Sequence, residues 1–447
     1  MKITIPAIQI DEAEGFSPAK DIFSRKDFGE RLANLIVKTN DELVIALDAE
    51  WGEGKSTFIQ MWKGYVSHQR DPKIRTIYFD AFANDCQKDP FIALAAEVYE
   101  LLKNEGQDKT KEFLAKAGAA AKSMARGAMK IAVRVGTGGL LDGSVVDGVE
   151  EDVSELLAEQ VDSILEERLK SSSEDKLALK NFRKYLEDFA SEHGGGQPIV
   201  FVIDELDRCR PDFALELIEQ IKHLFSVRGI TFLLVMNRKQ LEESIRAKYG
   251  LVDAAKYLQK FVHLWLTLPR KSDQYEDHGV KYVGYAMQAM CDSGENIFNQ
   301  EAVILFQELI KYCKPSFREI ERALSYFALI QNMSRNEPLR TSYQFMVAFV
   351  CYLKAVKPHL IKKITHEQIS SEILLGDAGL GRIDGNVRST HLYDLTRLII
   401  FDMGSEEQRK KMIESKEIFS DGGVGRFSDS GVMRNICGWL DDIYRQR

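Results

Sequence analysis

A chain of 447 residues is too long for one ordinary hydrophobic core and implies two or three domains. With 45% apolar and 29% charged residues it reads as a soluble globular protein, and its formal charge of −8 argues against a surface that broadly attracts nucleic acid, leaving at most a local patch for such a partner. The six cysteines (Cys86, Cys209, Cys291, Cys313, Cys351, Cys437) show neither CxxC nor Cys/His ligand spacing, so they suggest no structural zinc and no disulfide framework and fit reduced cytoplasm.

The start, "MKITIPAIQIDEAEGF", has no apolar run long enough for a signal peptide, and no stretch of 18 apolar residues follows anywhere. "ELVIALDA" (42–49) predicts a buried strand running into a glycine-rich turn, after which Phe58, Met61 and Trp62 have helical spacing. "IRTIYFDAF" (74–82), "PIVFVIDELDR" (198–208) and "GITFLLVMN" (229–237) read as further buried strands, and "KFVHLWLTLP" (260–269) as a fifth. Helical patterns such as "DPFIALAAEVYELLK" and "DFALELIEQIKHLF" separate them, which predicts a doubly wound α/β core.

Residues 105–196 interrupt that alternation. Lys122, Arg126, Lys130 and Arg134 make one basic helical stripe, and an acidic amphipathic segment follows at 150–169. This reads as an inserted helical hairpin, with either a solvated face or a surface at 111–150 for a partner or a membrane surface. Beyond residue 270 the pattern is mainly helical. "LLGDAGLGRIDGN" (374–386) lacks a Gly-Lys-Ser/Thr ending and reads as a turn-rich loop. The expected layout is an arm at 1–20, a core at 21–270 containing the insert, a helical lid at 271–335 and a C-terminal helical domain at 336–447.

The turn after the first strand, "AEWGEGKST", carries the chemistry. A nucleoside triphosphate needs many donors aimed at its phosphates, and a loop of small residues supplies backbone N–H groups where the following helix dipole already favours anions. Trp51, Gly52, Glu53, Gly54, Lys55, Ser56 and Thr57 are thus the candidate nucleotide-binding loop, with Lys55 on the terminal phosphates and the Ser56 hydroxyl on magnesium. Ala49 stands where the usual pattern opens with Gly, which is tolerated if its φ is negative. Asp204 and Glu205 end an apolar strand: the first can hold magnesium through water and the second can polarise the attacking water, or both can join a salt-bridge network with Arg208 and Arg210. Asn237 ends another strand and can touch the terminal phosphate or the attacking water, or cap the next helix. No Asn-Lys-x-Asp pattern of guanine recognition occurs, so ATP is preferred to GTP.

In "EWGEGKST", "FDAFANDCQKDPF", "VFVIDELDRCRP", "YLQKFVHLWLTLP" and "PSFREIERAL" the chain resembles the KAP family of P-loop NTPases over residues 20–330. The resemblance implies an additional-strand ATPase core related to the AAA and STAND groups, with the P-loop strand in the neighbourhood of the Walker B and sensor strands, and a helical lid. It also implies a phosphate-side role for Arg318 or Arg322, whose alternative is exposed helix charges pairing with Glu319 and Glu321. Ala49, Phe82 and Asn237 depart from the family's usual Gly, Trp and Asp. Many relatives carry membrane-spanning helices where this chain has the charge-broken residues 111–150, and prokaryotic relatives are linked to phage exclusion. The expectation is an ATP-hydrolysing switch that works with magnesium and acts on its own assembly as a homo-oligomer or on an effector protein. A small-molecule kinase and a nucleotide-locked scaffold are the alternatives.

Overall fold

A computed structural model describes residues 2–6, 8–11, 13–39, 42–87, 89–103, 107–136, 173–270, 277–291, 300–333, 341–366, 369–383, 390–415 and 431–441. All five expected strands form: β1 (Leu43–Asp48), β2 (Thr76–Asp80), β3 (Ile199–Asp204), β4 (Ile230–Met236) and β5 (Leu264–Thr267). They pair in parallel in the order β2-β3-β4-β1-β5. The strand leading to the P-loop therefore pairs with β4, and β4 is the additional strand that separates it from β3. The result is a doubly wound α/β sheet of the additional-strand type.

Burial follows position in the sheet. Every residue of β3 and β4 is buried, as continuous apolar runs demand of central parallel strands, whereas the edge strands β2 and β5 are partly open. Phe201 and Phe232 are register partners and stack at 5.2 Å across β3 and β4. The strands are shorter than their apolar runs because the backbone turns at their polar ends. Asp80 accepts a hydrogen bond from the Ala83 N–H at 2.9 Å and so starts a short helix. Glu205 takes a left-handed φ of 59° directly after β3.

The chain forms two compact units, one of Gly29–Ala49 and Trp62–Leu268, the other of Met1–Phe28, Glu50–Met61 and Pro269–Arg447. In the first, the sheet unit, the expected insert contributes to the core. Phe113, Ala117 and Ala120 on the helix Gln107–Gly136, and Phe182, Leu186 and Phe189 on the helix 173–193, are buried in the same cluster as the strands. The face opposite the solvent thus joins the sheet core: Phe91, Phe182 and Phe225 form one aromatic layer, with centroids 5.1–5.5 Å apart. Lys122 is exposed. The side chains of Arg126, Lys130 and Arg134 and the whole acidic segment 150–169 lie outside what is described.

The second unit is helical apart from its loops. Its central helix, Thr341–Val356, is buried on every side from Phe345 to Leu353, as befits a run without charge. The helices His278–Met290, Gln300–Cys313 and Phe317–Met333 share its core. The expected loop at 374–386 begins inside a helix, Ser371–Asp377, because Ser370 caps its N-terminus and Leu374 and Leu375 are buried. Turns follow from residue 378, with Gly379 at φ 84°, and residues 384–386 are not described. Among the described residues no helix is long and apolar enough to cross a membrane.

Candidate nucleotide site

The phosphate loop leaves β1 under tight backbone control. The Ala49 N–H donates to the Met236 carbonyl at 3.2 Å, and the Arg238 N–H donates to Asp48 Oδ1 at 2.9 Å. Ala49 is buried and takes no left-handed φ, so a methyl group there costs nothing in backbone strain. The left-handed positions fall instead on Gly52 (φ 83°) and Gly54 (φ 74°). At Gly52 a Cβ would stand only 2.8 Å from the Cβ of Arg318 and 3.1 Å from its backbone nitrogen. Glycine is thus required twice over at that point.

Lys55 opens the helix Lys55–Gly64, and its Nζ donates to the Glu50 carbonyl at 3.1 Å, folded over the loop it terminates. Phe58, one turn on, is fully buried between Phe16 and Phe28, with centroids 5.7 and 5.5 Å away, which anchors the start of that helix. Ser56 and Thr57 are half-buried and Trp51 is 43% exposed. Glu53 differs from its neighbours. Its side chain is only 3% exposed, with Oε1 3.0 Å from Arg270 Nη2, and burial raises its pKa against the opposing pull of Arg270 and Arg25.

Arg25 is the least expected member of this region. It is 2% exposed, lies 4.6 Å over the Phe23 ring, and donates from Nη1 to the Glu53 carbonyl at 3.0 Å and from Nη2 to the Pro269 carbonyl at 3.1 Å. Burial lowers its pKa to about 10, which leaves it charged at neutral pH. A cavity of about 350 Å³ adjoins the loop, lined by Ile22, Phe23, Gly54, Thr57, Met61 and Phe317 among others. Arg318 and Arg322 are exposed on the helix Phe317–Met333. Their neighbouring glutamates are engaged elsewhere: Glu319 accepts from the Ser316 N–H at 2.7 Å as a helix cap, and Glu321 accepts from the Tyr282 hydroxyl.

The sheet unit carries its acids where the strands end. Asp80 and Asp204 are register partners at the ends of β2 and β3. Asp204 is fully buried, and it accepts from the Glu205 N–H at 2.8 Å and the Tyr78 hydroxyl at 3.1 Å. Burial, then the Asp204 charge, pushes the Tyr78 pKa up, so the phenol keeps its proton. The Glu205 carboxyl is also raised, chiefly by burial and then by Asp204 and Asp80, while Arg208 at 2.8 Å opposes the shift. The anticipated salt-bridge network forms only in part: Arg208 meets Glu205, but Arg210 turns to Asp85 at 3.7 Å. A left-handed non-glycine residue beside a buried carboxylate is strain of the kind that gathers at working sites. Asn237 caps the helix Arg238–Tyr249, its Oδ1 3.4 Å from the Gln240 nitrogen.

Residues 25–280 match the KAP family P-loop domain. The chain belongs to this family. No curated protein matches the sequence. A solved structure, the ORC2 protein of Aeropyrum pernix in its ADPNP and ADP complexes, is similar at 12% identity over 93% of this chain and 93% of that one, with a TM-score of 0.37. The matched KAP region spans the glycine loop and the strand ending in Asp204. It begins at Arg25, a residue that sequence reasoning passed over together with Arg270 and Tyr78. Arg25 and Arg270 lie in no local pattern, and Tyr78 gave the signal only of a polar-tipped aromatic two residues before a strand end.

Proposed function

We propose that the protein binds ATP with magnesium at Gly52–Thr57 and hydrolyses it, using the cycle to switch its own assembly or its hold on a protein partner. The observation that carries this reading is the pair of left-handed glycines directly ahead of a helix that opens on Lys55. Glycines in that conformation allow the chain close approach to a phosphate at the positive end of a helix dipole, where an anion is favoured. Lys55 would serve the terminal phosphates, and Arg318 would meet charge from the helix that presses on Gly52. The donors offered to magnesium, the Ser56 hydroxyl and the Asp204 carboxylate, are both oxygen, the chemistry this hard ion takes, and the ion would neutralise phosphate charge. Glu205 would polarise the attacking water and Asn237 would help to orient it. The scattered cysteines, with neither CxxC nor ligand spacing, support a cytoplasmic setting. A part in phage exclusion rests on kinship alone and is read by plaque counts with and without the gene.

One observation favours the nucleotide-locked scaffold as a second reading, namely the Glu205–Arg208 ion pair, which occupies the proposed base. Single-turnover hydrolysis separates the two. A hydrolase should convert bound ATP, and Glu205→Gln should keep the nucleotide while slowing conversion by about 10²- to 10⁴-fold. Equal rates in wild type and variant would remove Glu205 from the chemistry, and bound ATP that never turns over in wild type would establish the scaffold.

A further inference from the structure

Glu53 sits at a position of the phosphate loop that the loop's backbone chemistry leaves free to vary, yet among the described residues it is one of the few charged side chains held inside the protein. Neither of its carboxylate oxygens makes an aligned hydrogen bond; its compensation is charge alone, first from Arg270, whose Nη2 lies 3.0 Å away, and then from Arg25. The same Nη2 donates to the Pro315 carbonyl at 3.1 Å and lies 3.4 Å from the Lys314 carbonyl. Lys314 has a left-handed φ of 51°, and Ser316, two residues on, caps the helix that presents Arg318. That helix start is the element that leaves no space for a side chain at Gly52. Arg25 ties the backbone of the same residues, bonding the Glu53 carbonyl and the carbonyl of Pro269, the residue before Arg270.

We propose that Glu53 and Arg270 are a positioning pair: one guanidinium shared between the loop's buried carboxylate and the 314–315 carbonyls holds Arg318 in a fixed register beside Gly52. The pair touches no phosphate itself and acts through Arg318. This inference rests on the reading of the loop as an ATP site. A buried carboxylate compensated by charge without aligned hydrogen bonds is a poor source of stability, because desolvation offsets the attraction, so its use here is geometric. All three contacts come from Nη2 at the tip of the arginine, so lysine keeps the charge and loses the reach.

The test uses the full chain and two readouts. In ATP hydrolysis, Glu53→Gln and Arg270→Ala should each lower kcat by about tenfold or more with a much smaller change in KM, the signature of an interaction that matters in the transition state. Arg270→Lys should recover part of that loss. In an Arg318→Ala background neither substitution should lower kcat further, since residues that act through one group are not additive. Without nucleotide, backbone amides 316–320 should exchange hydrogen faster in Glu53→Gln and Arg270→Ala than in wild type. Effects on kcat that multiply with that of Arg318→Ala, or exchange at 316–320 unchanged in Glu53→Gln, would overturn the pair. Should the wild type fail to hydrolyse ATP, the hydrolysis reading falls by itself and the exchange result still decides whether the pair holds this segment.

Discussion

The two compact units handle charge in opposite ways. The sheet unit keeps its buried charge at a strand end: Asp48, Asp80 and Asp204 close β1, β2 and β3, and of its carboxylates Asp204 and the following Asp207 are the buried ones among the described residues. The helical unit carries charge within it: Arg25 and Glu53 are almost wholly buried, with the half-exposed Arg270 as the link between Glu53 and the 314–315 backbone. A parallel strand delivers its last residue to a known edge, so local sequence is enough to place it. The cluster of Arg25, Glu53 and Arg270, drawn from the N-terminal segment, the loop and the segment after β5, exists only once three distant stretches of chain have met. The phosphate loop belongs to the second kind of construction although it follows directly on the first.

The sharpest way to break the comparison is to make the same cut in both units. Phe232 in β4 and Phe327 in the helix Phe317–Met333 are both fully buried. Truncation of either to Ala should cost about 3–5 kcal/mol, a transfer loss plus a cavity that neighbours fill incompletely. Urea unfolding checks this, and a loss below about 1 kcal/mol at either site would show that the packing there tolerates collapse.

A smaller effect distinguishes glycines required by the fold from glycines that are merely present. Gly52→Ala meets both a left-handed backbone and the Arg318 Cβ at 2.8 Å, and should lose at least about 1–2 kcal/mol along with ATP affinity. Gly118, on the helix Gln107–Gly136, has nothing within 4 Å of an added Cβ, so Gly118→Ala should gain about 0.5–1 kcal/mol. Thermal unfolding of the two variants should therefore move in opposite directions. Equal shifts would mean that loop strain is not what keeps glycine at 52.

How far the architecture is legible beforehand follows from the same contrast. The five strands are readable because central parallel strands must be continuously apolar, and the places of Lys55, Ser56, Asp204 and Glu205 in the fold are readable because they sit close to strand ends. Phe113 and Phe182 are harder to place, since the Ala- and Gly-rich stretch and the charges around them mask helices that face the core. Arg25 and Arg270 show no periodicity at all. Their significance comes from the Glu53 and Pro269 carbonyls and from the backbone at 314–315, partners that no window of sequence contains.

The smallest effect is one of pH. His278 is buried in the helical unit against Phe23, and burial, then the charges of Arg25 and Lys281, lowers its pKa from 6.5 to about 4. The unfolded chain therefore takes up this proton first as pH falls, and the stability that the neutral ring contributes is lost progressively between about pH 6.5 and 4. His278→Phe removes that dependence, so unfolding followed at pH 7 and pH 4.5 should show the variant improving relative to wild type at the lower pH. A difference independent of pH would mean that His278 is not held neutral.

The central claim is that the Gly52–Thr57 loop is a working phosphate cradle, and calorimetric titration with magnesium ATP of wild type and Lys55→Ala tests it most directly. Wild type should bind, and the variant should bind at least about tenfold more weakly, a loss of about 1.4 kcal/mol or more, because it lacks the cation that ends the loop. Equal affinity in the two proteins would contradict the account and move the nucleotide, if one binds, away from this loop.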